Sequence, residues 1–114
     1  GMLPRFSTKV LTLCLALVFP LAAAAANPLW IDVRSESEFG TGHVSDALNI
    51  PYNEIAEEIK LLDVDKDAVI YVYCRSGRRS GIAKETLEGL GYSRVVNVGG
   101  FEDALKKANR ETGR

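Results

Sequence analysis

Cys74-Arg75-Ser76-Gly77-Arg78-Arg79-Ser80 places a thiol at the head of a short stretch that holds three arginines and no carboxylate before Glu85. It follows the apolar run Ala68 to Tyr73 and precedes a helical pattern, so it reads as a strand end, a tight anion-binding loop and a helix start. A cysteine at that point sits among backbone N–H groups that point into the loop, at the positive end of a helix dipole and beside guanidinium groups. Such surroundings favour thiolate over thiol, and the chemistry they suit is nucleophilic. The plainer alternative is a buried, inert cysteine next to a solvated basic run.

The elements that must position this loop are legible on either side of it. Leu29 to Val33, with β-branched Ile31 and Val33, reads as the first strand. Ser35 followed three residues later by Glu38 is a capping-box pattern and opens a short helix that ends near Gly40 and Gly42. Asp46 to Ile50 is a brief extended piece stopped by Pro51. Ile55, Ile59 and Leu62 recur at helical spacing with Glu54, Glu57 and Glu58 outside, and Asp63 to Asp67 is a charged turn. Ala68 to Tyr73 suits a central parallel strand covered on both faces. From Ser80 onward Ile82, Ala83, Thr86, Leu87 and Leu90 share a helical face, and Gly91 is a left-handed stop. Val95 to Val98 is the next strand, and Gly99-Gly100 turns sharply into a last helix from Phe101 to about Asn109, with Arg110 to Arg114 fraying. Strands alternating with short helices predict an α/β fold with a small parallel sheet of about five short strands and helices on both faces. Sites in such sheets form beyond the carboxyl ends of the strands, where Cys74 and the loops after Val33 and Val98 fall.

The chain has 114 residues, but the fold is expected to use fewer. Gly1 reads as a cloning remnant ahead of Met2. Arg5 and Lys9, the apolar stretch Val10 to Leu21 and the small residues Ala22 to Ala26 have the layout of a secretory signal peptide. Its apolar core is about a dozen residues, short of the ~20 that span a membrane, and Pro20 would disturb a spanning helix. Cys14 follows Leu13 inside that core, which does not suit lipid attachment. The expected division is therefore residues 1–26 as remnant plus signal peptide and residues 27–114 as one domain, with cleavage after Ala26 or at Ala25 and neighbouring positions, which fit nearly as well, export to the periplasm or beyond, and membrane contact only through an uncleaved leader. The alternative is an uncleaved anchor or an ordinary buried helix. Without residues 1–26 the 14 basic residues become 12 against an unchanged 15 acidic ones, a mildly acidic balance that argues against nucleic acid as a partner. Cys74 is then the one cysteine left, so no intramolecular disulfide can form.

Ile31-Asp32-Val33-Arg34, Gly42-His43-Val44, Ala47-Leu48-Asn49-Ile50-Pro51, the Cys74 to Ser80 loop, Gly91-Tyr92 and Gly99-Gly100-Phe101, in that order, resemble a rhodanese domain over essentially all of residues 27–114. The size and leader make the chain similar to the small exported single-domain rhodaneses of bacteria, of the phage-shock-protein type. The resemblance implies a thiosulfate sulfurtransferase with no metal or cofactor. Its cysteine thiolate takes sulfane sulfur from a small anionic donor such as thiosulfate, holds it as a persulfide and hands it to a thiol or a cyanide-like acceptor. Cys74 is then the nucleophile, and the main chain of Arg75 to Arg79 surrounds the persulfide, with Gly77 letting the loop curl. Arg75 and Arg78 are expected at the mouth and Arg79 as a brace, although the sequence does not separate these roles. Ser76 and Ser80 are candidate hydroxyl donors to the persulfide, with capping of the following helix the commoner task for a serine at position 80. Asp32 and Arg34 are expected to support the site, with structural ion pairing favoured for Asp32 and for the pair Arg34 and Glu38, which stand four apart.

The fold also hosts phosphatases, in which the cysteine is followed by five residues and then an arginine. Here that position holds Ser80, and the sixth residue counted from Cys74 is Arg79, which matches the tighter sulfurtransferase loop. A phosphatase or arsenate reductase is accordingly the weaker enzyme reading, and a non-catalytic binding module is the alternative from another class. His43, the single histidine, has no triad pattern around it and reads as structural.

Overall fold

The computed structural model describes residues 27–112; the leader expected over residues 1–26 lies outside them. Among the described residues no helix is long and apolar enough to cross a membrane. Strands β1 (Leu29–Asp32), β2 (Leu48–Asn49), β3 (Val69–Tyr73) and β4 (Arg94–Gly99) form one sheet in the order β2-β1-β3-β4. All three pairings are parallel. The expected count of about five strands is one too high among the described residues: each segment with a strand pattern supplies one strand, and helices and turns take up the chain between them. The helices are α1 (Glu36–Gly40), α2 (Ile55–Leu61), α3 (Arg78–Gly89) and α4 (Phe101–Thr112).

Strand parity divides the core in two. Successive side chains of a strand point to opposite faces, so Ile31, Val33, Ile70, Val72 and Val95 pack with Ile55, Ile59, Ala83 and Leu87 on one side of the sheet. Trp30 and Tyr73 pack with Ala104, Phe39, Phe101 and Leu105 on the other. Cys74 follows Ile70 and Val72 in the same parity and lies in the first cluster. The pleat of β3 thereby aims the thiol at the α3 side.

Several local expectations shift in the folded chain. The helix expected from Ser80 begins two residues earlier, at Arg78, with Gly77 as its N-cap. Ser80 therefore sits in the first turn and does not cap it. The buried face of α3 is Ser80, Ala83 and Leu87, while Ile82 is 37% exposed. Leu62 falls just past α2 and is 41% exposed. The last helix runs on to Thr112 because its final turn has partners: the Tyr71 hydroxyl donates to Glu111 Oε2 at 3.0 Å, and Lys107 Nζ lies 3.4 Å from the same atom.

The second face is braced by a buried ion pair. Asp32 is fully buried and Arg34 nearly so. Arg34 Nη2 donates to Asp32 Oδ2 at 2.7 Å and Nε to Oδ1 at 3.0 Å, while the Arg34 backbone N–H also reaches Oδ1. The same guanidinium donates to the Gly42 carbonyl at 2.6 Å and lies 4.5 Å from the centre of the Phe101 ring. It thus ties β1 to the chain after α1 and to α4. The expected pairing of Arg34 with Glu38 does not form: Arg34 turns inward to Asp32, and Glu38 closes the capping box with Ser35 and turns to Arg79.

Removing one partner of a buried pair strands the other charge, at about 3–5 kcal/mol. Arg34→Met is expected to lose that much in urea unfolding, a large part of a small domain's stability. A loss below about 1 kcal/mol would show that the pair is not what holds this face together.

Candidate functional site

The site is the turn from β3 into α3. The Cys74 backbone N–H donates to the Gly99 carbonyl at 3.0 Å, which fixes the end of β3 against β4. Ser76 then bridges to Gly100 in antiparallel fashion. A side chain at Gly100 would put its Cβ 2.7 Å from the Arg75 carbonyl oxygen, so only glycine lets the loop lie this close. Gly77 has φ +102°, a left-handed conformation that turns the chain at once into α3.

Cys74 is 1% exposed, and its Sγ faces this turn. The Gly77 N–H donates to it at 2.9 Å and the Ser80 Oγ lies 3.4 Å away. Burial pushes the Cys74 thiol up, but the Ser80 hydroxyl and the backbone N–H groups of Ser80, Gly77 and Ser76 together outweigh burial and leave it below its ordinary value. The amino end of α3 points the same way, with no acidic residue in its first turn. Of the groups the sequence places around the thiol, the main chain lowers it as expected, together with the Ser80 hydroxyl, and no arginine is among the chief causes.

The three arginines separate. Arg79 leaves the sulfur and clamps Glu38 in a two-pronged pair, Nη1 to Oε1 at 2.9 Å and Nη2 to Oε2 at 3.1 Å. Its guanidinium, with the Ser35 backbone N–H, holds the Glu38 carboxyl down to about 2. Arg79 is therefore the brace between α1 and α3. Arg75 and Arg78 are exposed and have no ion-pair partner among the described residues. They remain as free cations on the loop, and the neutral Ser76 between them is exposed as well.

Asp32 and Arg34 reach the carboxyl end of β1 as expected, but they pack on the opposite side of the sheet from the sulfur, against Tyr73 and Phe101. Their support is structural. His43 stacks on Phe39 at 3.6 Å and spends Nδ1 on the Phe39 carbonyl at 2.8 Å. A concavity of about 410 Å³ lies beside Trp30, His43, Asp46 and Leu105, bordering the first residues of β1 and the end of α4. None of the loop residues Cys74 to Ser80 lines it.

One residue of the site escapes a reading of the sequence. Asn97, the register partner of Val72, faces α3 from β4. Its Nδ2 donates to the Gly77 carbonyl at 3.1 Å, and its Oδ1 accepts from the Gly99 N–H at 3.0 Å and from the Ser80 hydroxyl at 2.7 Å. A donor on one side and an acceptor on the other fix which way the amide points. The available signal was an asparagine inside a strand, where the residue is uncommon, two positions before Gly99-Gly100.

Comparison with known proteins agrees with this geometry. Residues 21–107 match the rhodanese-like domain family. The thiosulfate sulfurtransferase PspE of Escherichia coli is 47% identical over 91 residues, which cover 80% of this chain and 86% of that protein. A sulfurtransferase of Allochromatium vinosum is 39% identical over 78 residues, covering 68% and 71% respectively. The solved structure of an E. coli rhodanese with anions superposes with a TM-score of 0.65 at 44% identity, covering 68% of this chain and 91% of that one. With a buried cysteine in a tight loop at the carboxyl end of a parallel sheet, and these matches over most of its length, the chain belongs to the rhodanese family.

Proposed function

We propose that this sulfurtransferase takes sulfane sulfur from thiosulfate or a similar anionic donor and carries it as a persulfide on Cys74 to a thiophilic acceptor, cyanide in the test tube and a thiol in the cell. The observation that carries the reading is the seat of the sulfur: buried, below its ordinary pKa, and held by the Gly77 N–H and the Ser80 hydroxyl. In the reaction the Sγ thiolate attacks the outer sulfur of thiosulfate. An S–S bond forms on Cys74, the S–S bond of the donor breaks, and sulfite leaves with the electron pair. No proton needs to move. The persulfide anion then lies among the backbone N–H groups of residues 75–79, of which those of Ser76 and Gly77 already bond the sulfur before the extra charge arrives. An acceptor takes the outer sulfur, and the electron pair returns to Sγ. The name of the E. coli relative supports thiosulfate as donor.

Loop geometry favours sulfur over phosphate. Only Arg75, Ser76 and Gly77 separate Cys74 from α3. Arg79 is committed to Glu38, and the position that carries arginine in the wider phosphatase loop holds Ser80, whose hydroxyl faces the sulfur. Phosphate-ester hydrolysis also needs a general acid, and none of the loop residues Cys74 to Ser80 is one. The leader-like pattern of residues 2–26 supports export of the domain.

Treatment with thiosulfate is expected to add the mass of one sulfur atom to the intact protein, located on Cys74, and Cys74→Ser should abolish both this gain and thiocyanate formation from cyanide. Equal transfer by wild type and Cys74→Ser would overturn the reading and leave a binding module in its place. Arg75→Ala and Arg78→Ala should each raise KM for thiosulfate about fivefold, flattening its salt dependence more than they lower kcat; insensitivity of KM to both would remove them from donor capture. Expressed with residues 2–26 in a Gram-negative host, the protein should be recovered from the periplasm in a form shortened to near Asn27, and full-length protein in the cytoplasm would refute export.

A further inference from the structure

The Ser80 hydroxyl has one proton and three acceptors within reach. Asn97 Oδ1 is at 2.7 Å, the Gly77 carbonyl at 3.1 Å and Cys74 Sγ at 3.4 Å. The Gly77 carbonyl is already served twice, by Asn97 Nδ2 at 3.1 Å and by the Gly81 N–H at 3.0 Å, which fills its two lone pairs. The choice left to the hydroxyl is therefore between sulfur and the asparagine oxygen.

Either choice leaves no group stranded. When the hydroxyl turns to Sγ, Asn97 Oδ1 keeps the Gly99 N–H at 3.0 Å. When it turns to Asn97, Sγ keeps the Gly77 N–H at 2.9 Å. A buried acceptor that lost its last donor would cost about 1–3 kcal/mol, and this arrangement avoids that cost in both positions. Rotation about the Ser80 Cβ–Oγ bond suffices to exchange them.

We propose that Asn97 is a positioning residue that acts through Ser80: it gives the hydroxyl a second seat, so that the hydroxyl bonds Cys74 when negative charge lies on Sγ and returns to Asn97 when the charge has moved to the outer sulfur of the persulfide. This rests on the persulfide reading of Cys74. Charge moves between the two sulfurs as S–S bonds form and break, and the hydroxyl follows it without transferring its proton. A fixed donor would favour one of the two states at the expense of the other. A donor with two seats accommodates both.

The test is a double-mutant cycle on Ser80→Ala and Asn97→Ala, read by the pH dependence of Cys74 alkylation in protein free of sulfur donor. Ser80→Ala removes a donor from the thiolate and should raise the midpoint. Asn97→Ala removes the shortest seat, at 2.7 Å, and leaves the hydroxyl to the sulfur and to the more distant Gly77 carbonyl at 3.1 Å, which the same change frees; it should lower the midpoint by roughly half a pH unit, and in the Ser80→Ala background it should have no effect. A midpoint that Asn97→Ala leaves unmoved or raises, or a shift of equal size without Ser80, would overturn the proposal. Should Asn97→Ala unfold, the near-isosteric Asn97→Asp should hold the hydroxyl more tightly and raise the midpoint, and part of that rise must vanish with Ser80→Ala; a rise that persists in full would overturn the proposal as well.

The persulfide half is read separately. At a fixed ratio of thiosulfate to sulfite, Asn97→Ala should lower the ratio of sulfur-loaded to free Cys74 about threefold, by the same half unit of preference for the free thiolate, and only while Ser80 is present. An unchanged proportion would overturn the return of the hydroxyl to Asn97. Alkylation needs no transfer activity, so failure of the persulfide reading would appear as absent sulfur loading in the wild type and remain distinct from failure of the cycle.

Discussion

A thiol that is 1% exposed and yet held below its ordinary pKa must find its donors inside the protein, and the corner between β3 and α3 is arranged around that requirement. Burial opposes the charge, and the Gly77 N–H, the Ser80 hydroxyl and their neighbours more than offset it. These donors can converge only if the chain turns into a helix within three residues of Cys74. That turn needs the left-handed Gly77, and it needs a neighbouring backbone with no side chain, which Gly100 supplies. The bond from Cys74 N–H to the Gly99 carbonyl sets the same corner from the sheet side.

The two faces of the sheet divide the labour. One face holds Cys74, α3 and Asn97, and its chemistry depends on distances of about 3 Å that a small shift of β3 or β4 would destroy. The other face holds the Asp32–Arg34 pair and a cluster of aromatic rings, with Tyr73 stacked on Phe101. Tyr73 and Cys74 are adjacent residues that point to opposite faces, so bracing of the aromatic side is felt directly at the strand end that carries the sulfur. The Glu38–Arg79 clamp adds a second restraint, from α1 to the first turn of α3.

Much of this was legible beforehand, for physical reasons. Apolar runs and β-branched residues marked β1, β3 and β4, and the capping box of Ser35 and Glu38 formed as its spacing predicts. Glycine positions marked the sharp turns, because left-handed backbone is costly for other residues. The shortness of the loop before Arg79 also belonged to the sequence, since it is a matter of counting. Pairings across the fold were not legible. Arg34 and Glu38 stand one helical turn apart and read as partners, yet each found a better one: Arg34 lies at a strand end where its neighbour Asp32 is buried, and Glu38 meets an arginine 41 positions away.

The amino-acid sequence by itself determined the element order, the parity that aims Cys74 at α3, and the character of the loop, because these follow from local periodicity and from residues close together in the chain. Only the tertiary structure decided which arginine braces and which stay free, that Asp32 and Arg34 serve the far face, and that Asn97 meets Ser80. Each of these depends on the register of β3 against β4 or on how a helix docks on the sheet, and such contacts join residues whose separation along the chain carries no imprint of their meeting. The thiol that opens the reading is thus identified by its neighbours in sequence, but the donors that set its chemistry are assembled by folding.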